Sequence, residues 1–376
     1  MGLLSVSSVL SVVGSVVLAI LILLIMITVH EFGHYLAGKA LKFKINEFAI
    51  GFGPKLFKRK SKKTGELFSV RLLPLGGFCA FDGEDGANGE EENKDSFTAK
   101  APWKRIIVLL AGPLMNYVLA LLLIIASMFA FGQQVFKVGS VDTGAENAAV
   151  YEGHSLEAND LILEVNGKRV YLITDMMSAL KGKTEGEVVP ILVFRGGEEV
   201  TEDVMLRSDC NFESSSDTSK LWRALGVGTV IKDGGKYWDV AADNYRLGFF
   251  QTIGSSFVYS FKIAGTIFKV LGELLTGSLG LSAMGGPVTT IKLTSQIATQ
   301  SLQSFLEIAA YIGVNLAVFN LLPIPALDGS KVVFCLIEWV FRKPVPRKIE
   351  AIIHTVGFIL ILVFAVVVDI LQFARC

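Results

Sequence analysis

The chain has 376 residues, of which 52% are hydrophobic and only 19% are charged, and its mean hydropathy is +0.54. Soluble globular proteins usually contain about 45–50% apolar and about 25% charged residues, so this composition favours a membrane protein with a modest water-soluble part. The 35 basic residues balance the 35 acidic ones, which argues against a nucleic-acid partner. The four cysteines have no paired spacing, so neither a disulfide scaffold nor a zinc ribbon is indicated.

Four apolar segments are long enough to cross a bilayer, which takes roughly 20 residues. The first, 6–29, contains no charged residue and lacks the basic flank of a signal peptide. The other three are predicted at 106–131, 305–322 and 352–373. The segment 249–276 mixes Phe and Leu with Ser, Thr and Lys, which predicts an amphipathic helix on the membrane surface, with a fifth span as the weaker alternative.

The loops between these segments differ in charge. Fourteen Lys and Arg residues lie between Glu31 and Arg105, whereas residues 132–248 contain 12 basic and 19 acidic side chains. Because basic loops stay on the cytosolic side, we expect the first loop in the cytosol and residues 132–248 outside.

Two loops have the pattern of β structure. In 45–82, two apolar, Gly-rich runs flank a basic turn, which predicts a membrane-associated β-hairpin whose open edge could accept an extended peptide. An ordinary surface hairpin is the alternative. Residues 132–210 contain four short strand-like runs and one helix, which predicts a β-rich module. The Ser-rich stretch that follows predicts a linker over 211–248.

The β-rich module has a recognisable pattern. Ala148-Ala149, then Asp160-Leu161-Ile162, then Val165-Asn166-Gly167 resembles a PDZ domain of the circularly permuted bacterial kind. The predicted organisation is therefore an N-terminal membrane half (1–131), a PDZ-like domain, a linker, the surface helix and a C-terminal membrane half (277–376).

The first span runs directly into His30-Glu31-Phe32-Gly33-His34. On a helix, positions i and i+4 share a face, so both imidazoles can bind one metal ion while Glu31 lies beside it as a base. Imidazole ligands suit Zn²⁺, and a catalytic zinc site keeps one position for water. Ionisable groups at the end of an uncharged span are costly, which favours a catalytic metal site over residues that merely end a helix.

A third ligand is needed, and Asp328 is the best candidate. It ends the run NLLPIPALDG at 320–329, at the cytosolic end of the third span, and the two prolines there interrupt the helix. His154 and His354 are poorer candidates, because the first lies in the outside region and the second lies alone on the fourth span.

Several motifs now occur together in order: HEFGH at 30–34, AGPLMN at 111–116, GGPV at 285–288 and NLLPIPALDG at 320–329. With the PDZ-like module between them, the chain resembles the site-2 protease family, in its bacterial form with a single PDZ domain. The resemblance covers nearly the whole chain. It implies that His30, His34 and Asp328 bind Zn²⁺, that Glu31 activates the water, and that Asn320 contacts the substrate backbone or the developing oxyanion.

The resemblance also implies a fold and a function. The fold is a polytopic α-helical membrane protein with about four spans, a membrane-associated hairpin and an extracytoplasmic PDZ-like domain. The function is hydrolysis within the transmembrane segment of single-pass membrane proteins, such as anti-sigma factors already trimmed by another protease, or signal-peptide remnants. The location is the bacterial inner membrane, with the active site toward the cytosol. Gly112, Pro113 and Asn116 are expected to serve helix packing.

Three other functions remain open. A prenyl-type membrane zinc protease also carries HExxH, but the 320–329 run argues against it. A membrane scaffold that gathers partners through a PDZ-like module, or a zinc-binding protein without protease activity, would not need to keep Glu31 and all three candidate ligands.

Overall fold

The computed structural model describes residues 6–84, 96–142, 154–232, 235–280 and 285–373, so that Ala148 and Ala149 of the PDZ-like pattern lie outside the described residues. The chain divides into two units, one formed by residues 1–124 and 281–376 and the other by residues 125–280. The helices are α1 (Val6–Ala40), α2 (Pro102–Phe131), α3 (Ile173–Leu180), α4 (Thr218–Ala224), α5 (Phe249–Thr276), α6 (Pro287–Ala298), α7 (Leu302–Leu321), α8 (Asp328–Phe341) and α9 (Arg347–Phe373). The strands are β1 (Ile45–Lys60), β2 (Leu67–Phe81), β3 (Gln133–Val138), β4 (Leu161–Val165), β5 (Lys168–Arg169), β6 (Val188–Arg195), β7 (Glu198–Met205), β8 (Thr229–Lys232), β9 (Gly235–Trp238) and β10 (Val240–Tyr245).

Within the described residues, four helical segments are long and apolar enough to cross a membrane: Val13–Ala40, Pro102–Phe131, Leu302–Leu321 and Lys348–Gln372. Each overlaps one of the four predicted spans, and the first continues beyond its predicted end at residue 29 to Ala40. A helix satisfies its backbone hydrogen bonds internally, which is what a segment in hydrocarbon requires. The protein is therefore a membrane protein with α-helical spans and additional β elements.

β1 and β2 form the predicted antiparallel hairpin, but the pairing register is not continuous. Segment 45–50 of β1 pairs with 77–81 on one edge and lies beside 67–71 of β2 on the other, whereas segment 55–60 pairs only with 67–71. Gly51, at φ +87°, allows β1 to change direction between its two segments. In the described part of the chain, the outer edges of 55–60 and 77–81 pair with no other strand.

The unit formed by 125–280 is built on an antiparallel sheet. Its strand order is β10-β3-β4-β6-β7, and β5 adds beside β4. α3 and α4 contribute to its core, together with side chains from the sheet such as Ile162 and Ile191. The fully buried Asp160 accepts two hydrogen bonds from Arg195, at 2.7 and 2.8 Å, and this pairing raises the pKa of the guanidinium above its usual value.

The predicted linker over 211–248 is wrong. This stretch contains α4, β8, β9 and β10, and β10 pairs along its whole length with β3. Leu221 and Trp222 of α4 are buried in the same core as the sheet. The error has a physical cause, since α4 is only two turns long and the partner of β10 lies more than a hundred residues earlier in the chain.

α5 is the predicted amphipathic helix, and it is not among the candidate spans. Its buried face is largely small and polar, with Thr252, Ser255, Ser256, Ser260, Ile263 and Ile267. Its exposed face is aromatic and aliphatic, with Phe249, Phe250, Phe257, Phe261, Phe268 and Leu275. Lys262 of α5 forms an ion pair with Asp175 of α3, which ties the helix to the β-rich part of its own unit. Its position on the membrane surface stays a prediction.

The GGPV motif leads into α6, which begins at Pro287. Asp369 of α9 explains why position 286 is a glycine. The Asp369 carboxylate accepts hydrogen bonds from the backbone N–H groups of Val288 and Thr289. A Cβ on Gly286 would lie 2.4 Å from that carboxylate. The acidic residue near the end of the last span therefore binds the free N–H groups of a helix N-terminus.

Candidate metal centre

α1 continues without interruption through the HExxH motif, so His30 and His34 lie one helical turn apart on one face. Both are buried, and their Nε2 atoms are 3.1 Å apart. The i and i+4 spacing of the two histidines predicts this arrangement, and the structure has it because the helix continues past the last apolar residue of the span.

Asp328 is brought to these two histidines from the other end of the sequence. Its Oδ2 atom lies 3.0 Å from His30 Nε2 and 3.3 Å from His34 Nε2. The carboxylate stands at the start of α8, directly after the proline-containing turn. Gly329 is required there, because a Cβ would lie 2.3 Å from the Leu322 carbonyl oxygen.

His354, which the sequence analysis sets aside as a ligand, contacts the turn that carries Asp328. The backbone N–H of Ala326 donates a hydrogen bond to His354 Nδ1 at 2.9 Å. Ala326 has a φ of +74°, which a residue with a side chain rarely adopts. His354 therefore stabilises a strained turn two residues before the carboxylate.

The three side chains fit a zinc ion. The Val108 carbonyl oxygen lies 2.8 Å from His34 Nδ1, and because a carbonyl can only accept, Nδ1 carries the hydrogen and the lone pair of Nε2 points toward Asp328. Tetrahedral zinc with ligands at about 2.0–2.1 Å separates the ligand atoms by roughly 3.3 Å. The observed separations of 3.0, 3.1 and 3.3 Å are close to this value.

α2 packs directly against the histidine face of α1. A Cβ on Gly33 would lie 2.3 Å from the Ala111 carbonyl oxygen, and a Cβ on Gly112 would lie 2.3 Å from His34 Nε2. Both glycines thus permit a close approach of the two helices. Gly112 has the expected packing position, but the group it packs against is a candidate ligand.

Glu31 lies between the histidine cluster and the hairpin. Its carboxylate accepts a hydrogen bond from the backbone of Cys79 in β2. A Cβ on Gly77 would lie 3.5 Å from Glu31 Cγ. The segment 77–81, whose outer edge is unpaired within the described sheet, is therefore the part of the hairpin that contacts the candidate base.

A cavity of about 220 Å³ opens beside the cluster. It is lined by Ile27, His30, Glu31, Asn116, Leu316, Asn320, Ala326, Leu327 and Asp328. Two of the predicted ligands, the predicted base and Asn320 thus share one cavity. His154 belongs to the other unit, where its Nδ1 lies 3.1 Å from the Asp203 carbonyl oxygen.

The sequence alone does not place two of the residues near the centre, Asn116 and His354. From the sequence, Asn116 is expected to serve helix packing, and His354 is a poor ligand candidate because it lies alone on the fourth span. A polar residue in an otherwise apolar span is costly unless it has a partner or a function, and this is the signal that could have drawn attention to both.

Comparisons with known proteins agree on one family. The family model of peptidase family M50 matches residues 18–364. Similar relatives include proteins of Clostridium perfringens, 32% identical over 94% of this chain and 97% of the relative, and of Fusobacterium nucleatum, 30% identical over 94% and 96%. A Campylobacter jejuni protein is 31% identical over 91% of this chain and 89% of the relative. Each of the three carries the name "Putative zinc metalloprotease".

Proposed function

Because the chain belongs to peptidase family M50, the site-2 protease family, we propose that it is a zinc metalloprotease that hydrolyses a peptide bond within or near the transmembrane segment of single-pass membrane proteins. The observation that carries the proposal is the convergence of His30, His34 and Asp328 beside a cavity that Glu31 also lines. His30 and His34 are buried and Asp328 is half-buried, and a cluster of ionisable groups without a function would be costly at the end of a membrane span.

The three converging side chains would hold Zn²⁺, which supplies a Lewis acid that acidifies water and polarises the scissile carbonyl. Glu31 takes a proton from the attacking water and gives it to the leaving amine. Such general acid–base catalysis contributes roughly 10²–10⁴-fold. The hydrogen bond from Cys79 holds the Glu31 carboxylate toward the cavity, and Asn320 contacts the substrate main chain or the developing oxyanion.

The substrate must be extended at the cleaved bond, since the amides of a helix are already hydrogen-bonded and shielded. In the described part of the chain the outer edge of segment 77–81 pairs with no other strand, so it can accept such a strand. This edge contacts Glu31, so a strand added there runs past the candidate base. Anti-sigma factors trimmed by another protease and signal-peptide remnants are substrates of this kind.

The charge distribution supports a specific orientation in a bacterial inner membrane. The basic loop that contains the hairpin lies on the cytosolic side, and the acidic β-rich domain lies outside. The metal centre then faces the cytosol. The outer domain, with its PDZ-like pattern, excludes substrates that still carry a bulky outer part.

The first test is cleavage of a model single-pass substrate by purified protein in detergent, with zinc content measured in parallel. Wild type should cleave, and Glu31→Gln should be inactive while it still holds about one zinc ion per chain. Glu307→Gln is the matched control, because Glu307 lies in α7, is hydrogen-bonded to Gln303 and does not line the cavity. Cleavage by Glu31→Gln at the wild-type rate would refute the assignment of the base. Zinc binding without cleavage of any substrate would favour the scaffold or zinc-binding alternative.

A further inference from the structure

Asn116 of α2 carries a buried side-chain amide. Its side chain is 0% exposed, and among the described residues neither Nδ2 nor Oδ1 has a hydrogen-bond partner. Both atoms would lose their hydrogen bonds to water on folding, which is costly when nothing replaces them. Such a group in a native structure calls for a ligand.

The amide lies on the face of α2 that meets the metal centre. Gly112, one turn earlier, is the residue whose Cβ would contact both imidazoles, and positions i and i+4 share a helix face. Asn116 itself lines the cavity with Glu31, Asn320 and Asp328. The unsatisfied donor and acceptor therefore lie at the place where the substrate is cleaved.

A substrate strand has two backbone edges, and the hairpin can satisfy only one of them. Strand addition to segment 77–81 would pair the N–H and C=O groups on the near edge. The groups on the far edge would remain unpaired in a cavity among membrane helices, where that is unfavourable. In an extended strand the N–H and C=O of one residue point to the same side, which matches the donor and acceptor of a carboxamide.

We propose that Asn116 binds the substrate main chain on the far edge of the strand, donating from Nδ2 to a carbonyl and accepting at Oδ1 from the N–H of the same residue. This inference rests on the proposed function. It assigns to Asn116 a substrate-binding role instead of the helix-packing role expected from the sequence. No bond is made or broken by this residue.

The test compares wild type with Asn116→Leu in detergent, measuring kcat, KM, zinc content and the thermal unfolding midpoint. Leucine has a similar volume and removes both polar atoms. We expect kcat/KM to fall by about 10–100-fold, the effect of losing two neutral hydrogen bonds, with zinc content unchanged and an unfolding midpoint equal to or above that of wild type. The matched control is Asn315→Leu, since Asn315 lies in the candidate span α7, donates to the Tyr311 carbonyl of its own helix and does not line the cavity.

The unfolding midpoint separates the two roles of Asn116 without reference to activity. A buried amide with a structural partner would destabilise the protein when removed, so a lower midpoint or loss of zinc in Asn116→Leu would overturn the proposal. Unchanged kcat/KM would overturn it as well. If leucine does not fit and the variant fails to fold, Asn116→Ala, which adds no volume, is judged by its kcat/KM and zinc content. Inactivity of wild type would contradict the proposed function, whereas this inference is decided by differences between variant and wild type.

Discussion

Gly112 shows how closely the spans approach at the metal centre. A methyl group at this position would lie 2.3 Å from His34 Nε2 and 3.0 Å from His30 Cε1, so Gly112→Ala must displace at least one imidazole. We expect zinc content to fall and cleavage to drop by about 10²-fold, since misplacement of about 1 Å can have that effect. Metal analysis and a cleavage assay on the purified variant measure both.

The control for this substitution is Gly272→Ala. Gly272 lies in α5, and apart from the backbone of that helix no atom of the described residues lies within 4 Å of a Cβ there. Alanine is favoured over glycine in a helix by roughly 0.5–1 kcal/mol. Zinc content and cleavage should therefore stay at the wild-type level. A Gly112→Ala protein that keeps both zinc and activity would contradict the prediction, because α1 and α2 could then move apart without loss of either.

His354 acts on the metal centre through the turn before Asp328. His354→Leu removes the acceptor for the Ala326 N–H and leaves a strained turn without its support. We expect a zinc affinity lower by about 10–100-fold, as is typical when a group that orients a ligand is lost. Titration of the protein with a zinc chelator measures the affinity.

Two further variants make the His354 prediction specific. His354→Asn keeps an acceptor near the position of Nδ1, so it should recover part of the affinity. His154→Leu changes a histidine of the other unit and should have no effect. Equal affinities of His354→Leu and wild type would mean that the proline-containing turn holds its conformation alone.

The sequence predicts the candidate ligands because their signals are local. The i and i+4 spacing of His30 and His34 determines their common face. Asp328 follows a proline-interrupted span that is predicted to end on the same side of the membrane as the first span. The positions of Asn116 and His354 depend on which helix faces meet in three dimensions. Neither residue belongs to a spaced motif from which that could be derived.

The hairpin was predictable as an element but not in its register. Two apolar runs around a basic turn are sufficient to predict β1 and β2. The double pairing of segment 45–50, however, depends on a change of direction at Gly51 and on contacts with two separate parts of β2. Gly-rich strands specify their register weakly from pattern alone.

Cys79→Pro tests the edge that we assign to the substrate. The Cys79 backbone bonds to Glu31, so its N–H points away from the sheet, where proline is tolerated in an edge strand. Proline removes the donor that orients Glu31 and interrupts the edge. We expect kcat/KM to fall by about 10²-fold while zinc content stays at the wild-type level, as measured by cleavage kinetics and metal analysis.

Lys58→Pro is the matched change on the opposite edge of the hairpin. The Ser61 N–H donates to the Glu66 carbonyl, and the alternation of pairs along the strand directs the Lys58 N–H outward. This variant should cleave like wild type. Similar losses in both variants would indicate that proline damages the hairpin as a whole, which would contradict the assignment of the substrate to segment 77–81.

At the scale of the whole molecule, the sequence predicts the membrane spans better than it predicts the extent of the β-rich domain. The four candidate spans follow from composition over about 20 residues each. The last three lie within four residues of their predicted bounds, whereas the first continues eleven residues beyond its predicted end at residue 29. The C-terminal boundary of the β-rich domain was not predicted, because β10 completes a sheet that begins with β3, more than a hundred residues earlier. Pairing over such a distance leaves no local pattern.

This boundary decides how the proposed filter role of the β-rich domain can be tested. Gln133 and Tyr245 are direct partners in the ladder between β3 and β10, so their Cα atoms are about 4.5–5.5 Å apart. Residues 133–245 can therefore be replaced by a short Gly-Ser linker. Removal of 133–210 alone would leave β10 without β3 and expose Leu221 and Trp222 of the core, and we expect that protein to aggregate.

The protein without residues 133–245 should keep zinc, because all three candidate ligands lie in the other unit. If the β-rich domain excludes substrates that carry a bulky outer part, this protein should cleave an untrimmed single-pass substrate that wild type spares, and both should cleave the trimmed form. The measurement is cleavage of the two substrate forms by the two proteins, with zinc content as the check on the membrane part. If the shortened protein cleaves the trimmed substrate and still spares the untrimmed one, substrates are selected among the spans and the hairpin, and the β-rich domain has another function.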